Sequence, residues 1–268
     1  MSVVANLRNS SALLGQLIPE LGGVETLVFA GGGNRCWWQA GLVAAFLEKG
    51  WQLPPTLVGT SAGAAIAAAC MMGGPERALR NCLSIYANNH RLFDWRGLAR
   101  RQLVFAHQDI YPRWIESFLD DESYCVLRGG RTRLTVALTR PARYLGLSGS
   151  VLAGTLAYFI DKYLWKSIHP HLPTYLGLRQ DFVVLNDCSS TLQARNLLRA
   201  AAAAPPFMSA LPLGTGMAFD GGLALLRKSN FSRNSPDSRR THATATVIGQ
   251  PSCVKRFSSA TRICSSTT

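Results

Sequence analysis

Metal-type cysteine spacing, histidine and acidic residues are scarce in this chain, and each scarcity removes a class of function. The seven cysteines, at positions 36, 70, 82, 125, 188, 253 and 264, are odd in number and far apart, with no C-x-x-C pair and no Cys/His cluster. A zinc ribbon and a disulfide framework are therefore excluded, and reduced thiols without a structural metal are expected. Only five histidines occur, which leaves few candidates for imidazole chemistry. At the N-terminus a single Arg8 precedes a short apolar patch, Ala12 to Ile18, that Gln16 interrupts and Pro19-Glu20 closes. This is too weak for a secretory signal, so synthesis in the cytoplasm without cleavage is expected. No G-x-x-x-x-G-K-[ST] motif exists, and a G-x-G-x-x-G counted from Gly31 fails at Cys36. A nucleotide loop thus fits poorly and no cofactor is expected. The absence of tandem repeats removes solenoid folds.

What is present is an ordinary globular composition, 47% hydrophobic over 268 residues, enough to bury one full core with an inserted cap. One stretch, Leu53 to Pro75, carries no charge and passes a length test for a membrane span. Its start is proline-rich, its centre is Gly59-Thr60-Ser61-Ala62-Gly63, and its end is rich in alanine rather than leucine. A buried strand, turn and helix accounts for all three, and no transmembrane helix is expected. The formal net charge of +13 is uneven: eight Lys or Arg against one Asp follow Leu226. Beyond that point 15 of 42 residues are Ser or Thr and no periodicity is visible. A disordered basic tail over 227–268 is the expectation, rather than a nucleic-acid-binding element. Residues 1–23 read as an extension and 24–226 as the folded domain.

Thr26 to Ala30 is a continuous apolar run ending at three glycines, as in a buried parallel strand. Apolar residues from Cys36 to Lys49 predict a helix, with Gly50 placed for a left-handed cap. After Pro54-Pro55 the pattern repeats: a strand over Thr56 to Gly59, a turn at Ser61, and a small-residue helix to Met72. Two successive strand-turn-helix units imply a parallel sheet covered by helices, an α/β fold. Residues 76–120 read as an irregular helical cap broken at Pro112. Leu134 to Thr139 and Phe182 to Leu185 are further strands, and the intervening Tyr144 to Tyr175 resembles a mobile lid. Ser190 and Gln193 fit a capping box opening a helix that Pro205-Pro206 must stop. Phe219-Asp220-Gly221-Gly222 makes a tight turn.

The strongest chemical signal is Gly59-x-Ser61-x-Gly63 between a strand and a helix, the context a nucleophile elbow requires. Small residues at Gly59 and Gly63 let strand and helix approach closely while the Ser61 hydroxyl stands free. The bland alternative is a chance match in an Ala- and Gly-rich turn. Gly31-Gly32-Gly33-Asn34-Arg35 follows the preceding strand, so its backbone N–H groups can converge on an anion, as an oxyanion hole does. A serine nucleophile needs a base. Only His242 follows Asp220 in the chain, and it lies in the tail, while His90, His107, His169 and His171 fall in cap-like segments. Asp220, between a strand and two glycines, is the remaining candidate if burial raises its pKa. Alone it would read as a simple Asp-Gly turn.

Taken together, GGGNR after one strand, GTSAG after the next and DGG some 160 residues on resemble the patatin-like phospholipases over about residues 24–224. The resemblance implies a three-layer α/β/α sandwich with a mostly parallel central sheet and a helical cap or lid. It implies hydrolysis of ester bonds in phospholipids or other acyl lipids by a Ser61–Asp220 dyad. Gly31, Gly32, Gly33, Asn34 and Arg35 would then form the oxyanion hole, and Gly59, Gly63, Gly221 and Gly222 would shape the elbow and the aspartate turn. The chain departs from the family pattern twice. Cys36 replaces the family's glycine after the arginine, so displacement of the oxyanion backbone is expected. The Ser/Arg-rich tail also replaces the strand and helix that follow D-G-G in the family, which leaves two readings: a natural linker, or a truncated or frame-altered end that makes the domain incomplete. Two other readings use the same fold: a catalytically weak lipid- or membrane-surface-binding protein meeting the bilayer through Trp37, Trp38 and Leu152 to Trp165, and an acyltransferase. Core packing is the simpler role for Trp37 and Trp38.

Overall fold

In the computed structural model, residues 23–89, 93–94, 104–165, 172–205, 208–214, 216–223, 245–248 and 254–257 are described. The apolar run before the glycines forms strand β1 (Thr26–Phe29), with Leu27 and Phe29 buried. A short 3-10 turn (Gly33–Cys36) leads into helix α1 (Trp37–Glu48), and Gly50 takes the left-handed conformation at φ 83° just after it. Strand β2 (Thr56–Thr60) and helix α2 (Ala62–Met71) follow. All nine residues from Ala62 to Cys70 are buried. The uncharged stretch is therefore an interior helix whose small side chains allow close packing. No helix among the described residues is long and apolar enough to cross a membrane.

Helix α3 (Glu76–Ala87), the short strands β3 (Phe93–Asp94) and β4 (Val104–Phe105), and helices α4 (His107–Phe118) and α5 (Asp121–Gly129) make up the next segment. Pro112 lies inside α4 and does not end it, contrary to the expected break. Proline removes one backbone hydrogen bond and strains the preceding turn. Against that cost, Ile110, Tyr111, Trp114, Ile115 and Phe118 are buried on this helix. Each large apolar side chain so buried contributes about 1.5–3 kcal/mol. Strand β5 (Arg133–Arg140), helix α6 (Gly146–Phe159) with a π-helical turn (Ile160–Leu164), helix α7 (Leu172–Tyr175) and strand β6 (Arg179–Val184) come next. Ser190 caps helix α8 (Thr191–Ala201) by accepting from the Gln193 N–H at 3.2 Å, while Gln193 reaches back to the N–H of Ser189 at 2.6 Å. The helix ends before Pro205. Strands β7 (Leu211–Leu213) and β8 (Gly216–Asp220) form an antiparallel pair.

Within 227–268, where disorder is expected, the structure describes two strands, β9 (Ala245–Ile248) and β10 (Val254–Phe257). The rest of that stretch and residues 1–22 lie outside the described residues. The main sheet is eight-stranded, in the order β10-β9-β1-β2-β5-β8-β7, with β6 on the other edge of β5. Neighbours β9, β1, β2 and β5 are mutually parallel, and β7 shares their direction through two antiparallel pairings. Five of the eight strands thus run one way, giving a mostly parallel mixed sheet flanked by helices, a three-layer α/β/α fold. Helix α2 packs on β2 and β5, and α8 packs on β5, β7 and β8.

The register of β5 decides where the chemistry falls. Its first half pairs with β2 as far as Thr60 opposite Ala137. Its second half, on the same edge, pairs with β8, where Asp220 stands opposite Leu138. The other edge is taken by β6. Strands β2 and β8 therefore meet end to end along one edge of β5, and the residue following each is a turn.

Candidate active site

Ser61 follows the last residue of β2 and is the only non-glycine with positive φ among the described residues, at φ 54° and ψ −137°. Such a backbone conformation costs about 1–3 kcal/mol and persists only where the surroundings enforce it. Here two glycines do so. A side chain on Gly59 would strike the backbone of Ala64, and a Cβ on Gly63 would lie 2.6 Å from the Ala30 carbonyl oxygen and 2.7 Å from that of Phe29. With both positions bare, the turn from β2 into α2 closes against the end of β1, and the Ser61 side chain is left at the rim.

Asp220 ends β8 on the opposing side. The Ser61 hydroxyl donates to its Oδ2 at 2.6 Å, and the Gly222 N–H donates to its Oδ1 at 2.7 Å. Its main chain is tied twice: the Asp220 N–H donates to the Ala203 carbonyl at 2.9 Å, and the buried Thr139 hydroxyl donates to the Asp220 carbonyl at 2.8 Å. Gly221 sits so close to the Ala137 carbonyl that any side chain would collide with it. Desolvation pushes the Asp220 carboxyl above its ordinary value of 3.8, against the opposing pull of the hydrogen bonds from Ser61 and Gly222. A carboxylate made more basic by burial and held on a serine hydroxyl is able to accept that serine's proton.

Gly31 completes the contact between the loops: a Cβ there would lie 3.0 Å from Ser61 Cβ and 3.8 Å from its Oγ. The rest of the loop turns away through Gly33 at φ 58° into the 3-10 turn, where the Arg35 N–H donates to the Gly32 carbonyl. Asn34 accepts from the Tyr86 hydroxyl at 3.4 Å. The structure thus brings Ser61, Asp220, Gly31 and the four elbow and turn glycines together, while the Arg35 side chain is exposed. Cys36 is buried beneath the loop, and its Sγ donates to the Ala30 carbonyl at 3.3 Å. Burial first, and the charge of Asp220 in addition, push this thiol up to about 11 against the pull of Arg35, so it stays protonated.

Residues 27–227 match the family model of the patatin-like phospholipases. The chain belongs to that family. No curated protein and no solved structure matches it. Members of this family are in general lipid-hydrolysing serine hydrolases.

Sequence reasoning missed the residues that hold this patatin-type site in place. Gln39, 1% exposed inside the apolar helix α1, accepts from the Ala30 N–H and donates to the Ala30 carbonyl, each at 2.9 Å. It fixes the point where β1 gives way to the glycine loop. The available signal was a lone amide among apolar residues in WWQAGLV, since a buried polar side chain requires partners. Thr139 and Ala203 offered no such signal. Of the histidines, His107 is described: it opens α4 half-buried against Tyr111, and burial lowers its pKa. His90, His169, His171 and His242 lie outside the described residues. Trp37 and Trp38 pack against the core, with Trp37 edge-on to Trp114 at 5.5 Å.

Proposed function

We propose that this patatin-like chain is a lipid acyl hydrolase in which Ser61 is the nucleophile and Asp220 its base. The observation that carries the reading is the 2.6 Å hydrogen bond from the hydroxyl of a backbone-strained serine to a carboxylate whose pKa burial has raised. Ser61 Oγ attacks the acyl carbonyl carbon as its proton passes to Asp220. Backbone N–H groups of the loop Gly31, Gly32, Gly33 and Asn34 take up the developing oxyanion, with Gly31 nearest Ser61, while the Arg35 N–H is held by the Gly32 carbonyl. Collapse of the tetrahedral intermediate expels the alcohol, protonated by Asp220, and leaves an acyl ester on Ser61. Water then attacks that ester while Asp220 again accepts a proton, and the fatty acid departs as Asp220 returns that proton to the Ser61 Oγ, which restores the dyad. An alcohol in place of water would give acyl transfer from the same residues.

The purified chain is expected to hydrolyse a medium-chain acyl ester. Ser61→Ala or Asp220→Asn should each lower kcat by roughly three orders of magnitude or more, as losses at comparable triads do. A fluorophosphonate should label the wild type and not Ser61→Ala. Activity surviving both substitutions would overturn the dyad.

A specific observation favours contact with a lipid surface as part of this function. Helix α6 packs against the turn Gly221–Leu223 beside Asp220. Ser150, Gly154 and Ala157 are its buried residues, while Leu152, Leu156 and Phe159 are exposed at 75%, 60% and 50%. Tyr163, Leu164 and Trp165 continue this exposed face, and Phe159 stacks on Tyr163 at 5.5 Å. An apolar stripe of this kind next to an active centre suits a bilayer interface. Leu152→Asp with Leu156→Asp should weaken co-flotation with anionic liposomes while leaving hydrolysis of a soluble ester unchanged. Equal flotation would remove the bilayer from this reading and leave the dyad untouched.

A further inference from the structure

A bilayer contact through α6 leaves the charge of the lipid open, and the residues framing that helix bear on it. Helix α6 has fourteen residues and no charged side chain. Its buried positions, Ser150, Gly154 and Ala157, bind it to the domain. The Ser150 hydroxyl accepts from the Ala142 N–H at 2.9 Å, and a Cβ on Gly154 would lie 2.7 Å from a Leu178 methyl carbon. Leu152, Leu156 and Phe159 each come two residues later, which at 3.6 residues per turn is roughly 200° round the helix. The exposed apolar stripe is thus the outward face, opposite the packed one. Tyr144 and Tyr175 beside it are 71% and 82% exposed, and the Tyr144 hydroxyl donates to the Leu176 carbonyl at 2.6 Å. Exposed rings with a polar tip are the side chains that settle where membrane meets water. Charge completes the frame. From Pro141 to Gln180 there are four Lys or Arg and one acid, Asp161. That acid is 1% exposed and accepts from the Leu172 N–H at 2.7 Å, so it turns its charge inward. Asp181, the next acid along the chain, is taken by Arg140. Arg143 and Arg179 are exposed, and among the described residues neither has an acidic partner. The Tyr144 ring lies against Gly177, where a Cβ would be 2.8 Å from it, so the segments carrying these two arginines run side by side near the start of α6.

We propose that the outward face of α6, framed by Arg143 and Arg179, is a docking surface for anionic bilayers, and that the charge of the interface selects which lipids reach Ser61. The second half of this rests on the Ser61–Asp220 reading. The outward side chains enter the acyl region while the guanidinium groups at the edge pair with lipid phosphates. Each cation held near an anionic leaflet strengthens binding about fivefold. A second copy of the chain is the poorer occupant: a two-fold contact through this face brings the same unpaired cations together and no exposed acid from 141–180. An anionic leaflet supplies the missing charge.

The test is co-flotation of the full chain carrying Ser61→Ala, which takes turnover out of the measurement. The vesicles are phosphatidylcholine alone, and phosphatidylcholine with phosphatidylglycerol in equal parts. Binding to the mixed vesicles should be about tenfold tighter or more and should weaken as salt is raised. Arg143→Gln with Arg179→Gln should remove roughly tenfold of that affinity, and Arg143→Lys with Arg179→Lys should restore most of it, with Tm unchanged in both. Equal binding to the two vesicle types, a glutamine pair that floats like its parent, or a lysine pair that fails to restore binding overturns the proposal. So does a dimer in sedimentation velocity that Leu156→Asp dissociates, since the face then belongs to a second copy. With Ser61 intact, the glutamine pair should slow hydrolysis of long-chain phospholipid in mixed vesicles and leave soluble 4-nitrophenyl octanoate hydrolysis unchanged. Equal slowing of both, or of neither, overturns selection by charge. If the wild type hydrolyses neither substrate, the dyad reading fails on its own account, and flotation still decides the surface.

Discussion

Asp220 is a buried carboxyl hydrogen-bonded to Ser61, and in the proposed dyad its pKa makes two consequences measurable. As a base it must be ionised, so the acid limb of kcat/KM should fall at a pH above the ordinary 3.8 of an aspartate. The same shift acts on stability. A carboxyl whose pKa is raised on folding stabilises the native state when protonated and loses that contribution as pH rises through the folded value. Relative to Asp220→Asn, the wild type should therefore gain Tm as the pH is lowered through the raised folded value toward 3.8, a difference that thermal melts across the range from neutral pH down to about 4 will read. Gln39 acts at the same scale by different means. Its side chain satisfies both polar groups of Ala30, and a buried group left unpaired costs about 1–3 kcal/mol. Gln39→Leu should lower stability by a few kcal/mol and slow labelling of Ser61, because the glycine loop loses its anchor at the end of β1. The aspartate was legible in the sequence from its flanking glycines. Gln39 was legible only as an anomaly, since its partner is the backbone of a residue nine positions away.

At the level of elements, the site is a product of strand ends. Strands β2 and β8 abut along one edge of β5, with Thr60 opposite Ala137 and Asp220 opposite Leu138, so residues 159 positions apart in the chain meet at hydrogen-bond distance. The strand-turn-helix units were readable because period and glycine placement are local properties. The antiparallel entry of β8 was not, since nothing local in GMAFD states which strand it will join or in which direction. Close approach is what the elbow glycines provide. Gly63→Ala would place a methyl carbon 2.6 Å from the Ala30 carbonyl oxygen, which the Gln39 amide holds in place, and 2.7 Å from that of Phe29 at the end of β1. An overpacking penalty of roughly 1–3 kcal/mol or more is expected, seen as a lower Tm together with loss of fluorophosphonate labelling. Gly50, in an open left-handed cap with nothing near its Cα, should tolerate Asn with far smaller loss.

For the molecule as a whole, the arrangement that bears on activity is the far side of the sheet. Strand β1, which delivers the glycine loop, is paired by β2 on one side and by β9 on the other, with Thr26 opposite Ala245 and Phe29 opposite Ile248. Residues from a stretch that composition marks as tail thus close the edge of the strand leading to the site. Removing residues 241–268 would turn β1 into an edge strand and leave its N–H and C=O groups on that side unpaired. The shortened chain should melt at lower temperature and lose ester hydrolysis more than it loses helical content by circular dichroism. Unchanged melting and activity would assign the edge strands no part in holding the loop.

By itself the sequence determined the order of local units, the strained turn at Ser61, the identity of Asp220 as the base candidate and the small number of histidines, five, that compete with it. These follow from short-range sterics and residue chemistry, which act within a few positions of the chain. Only the tertiary structure decided that the serine and the aspartate share one edge of β5, that Gln39 and Thr139 fix the backbones behind them, and that α4 runs through Pro112. Each of those depends on which surfaces are buried against each other, and burial energy is summed over contacts between segments that no local pattern relates.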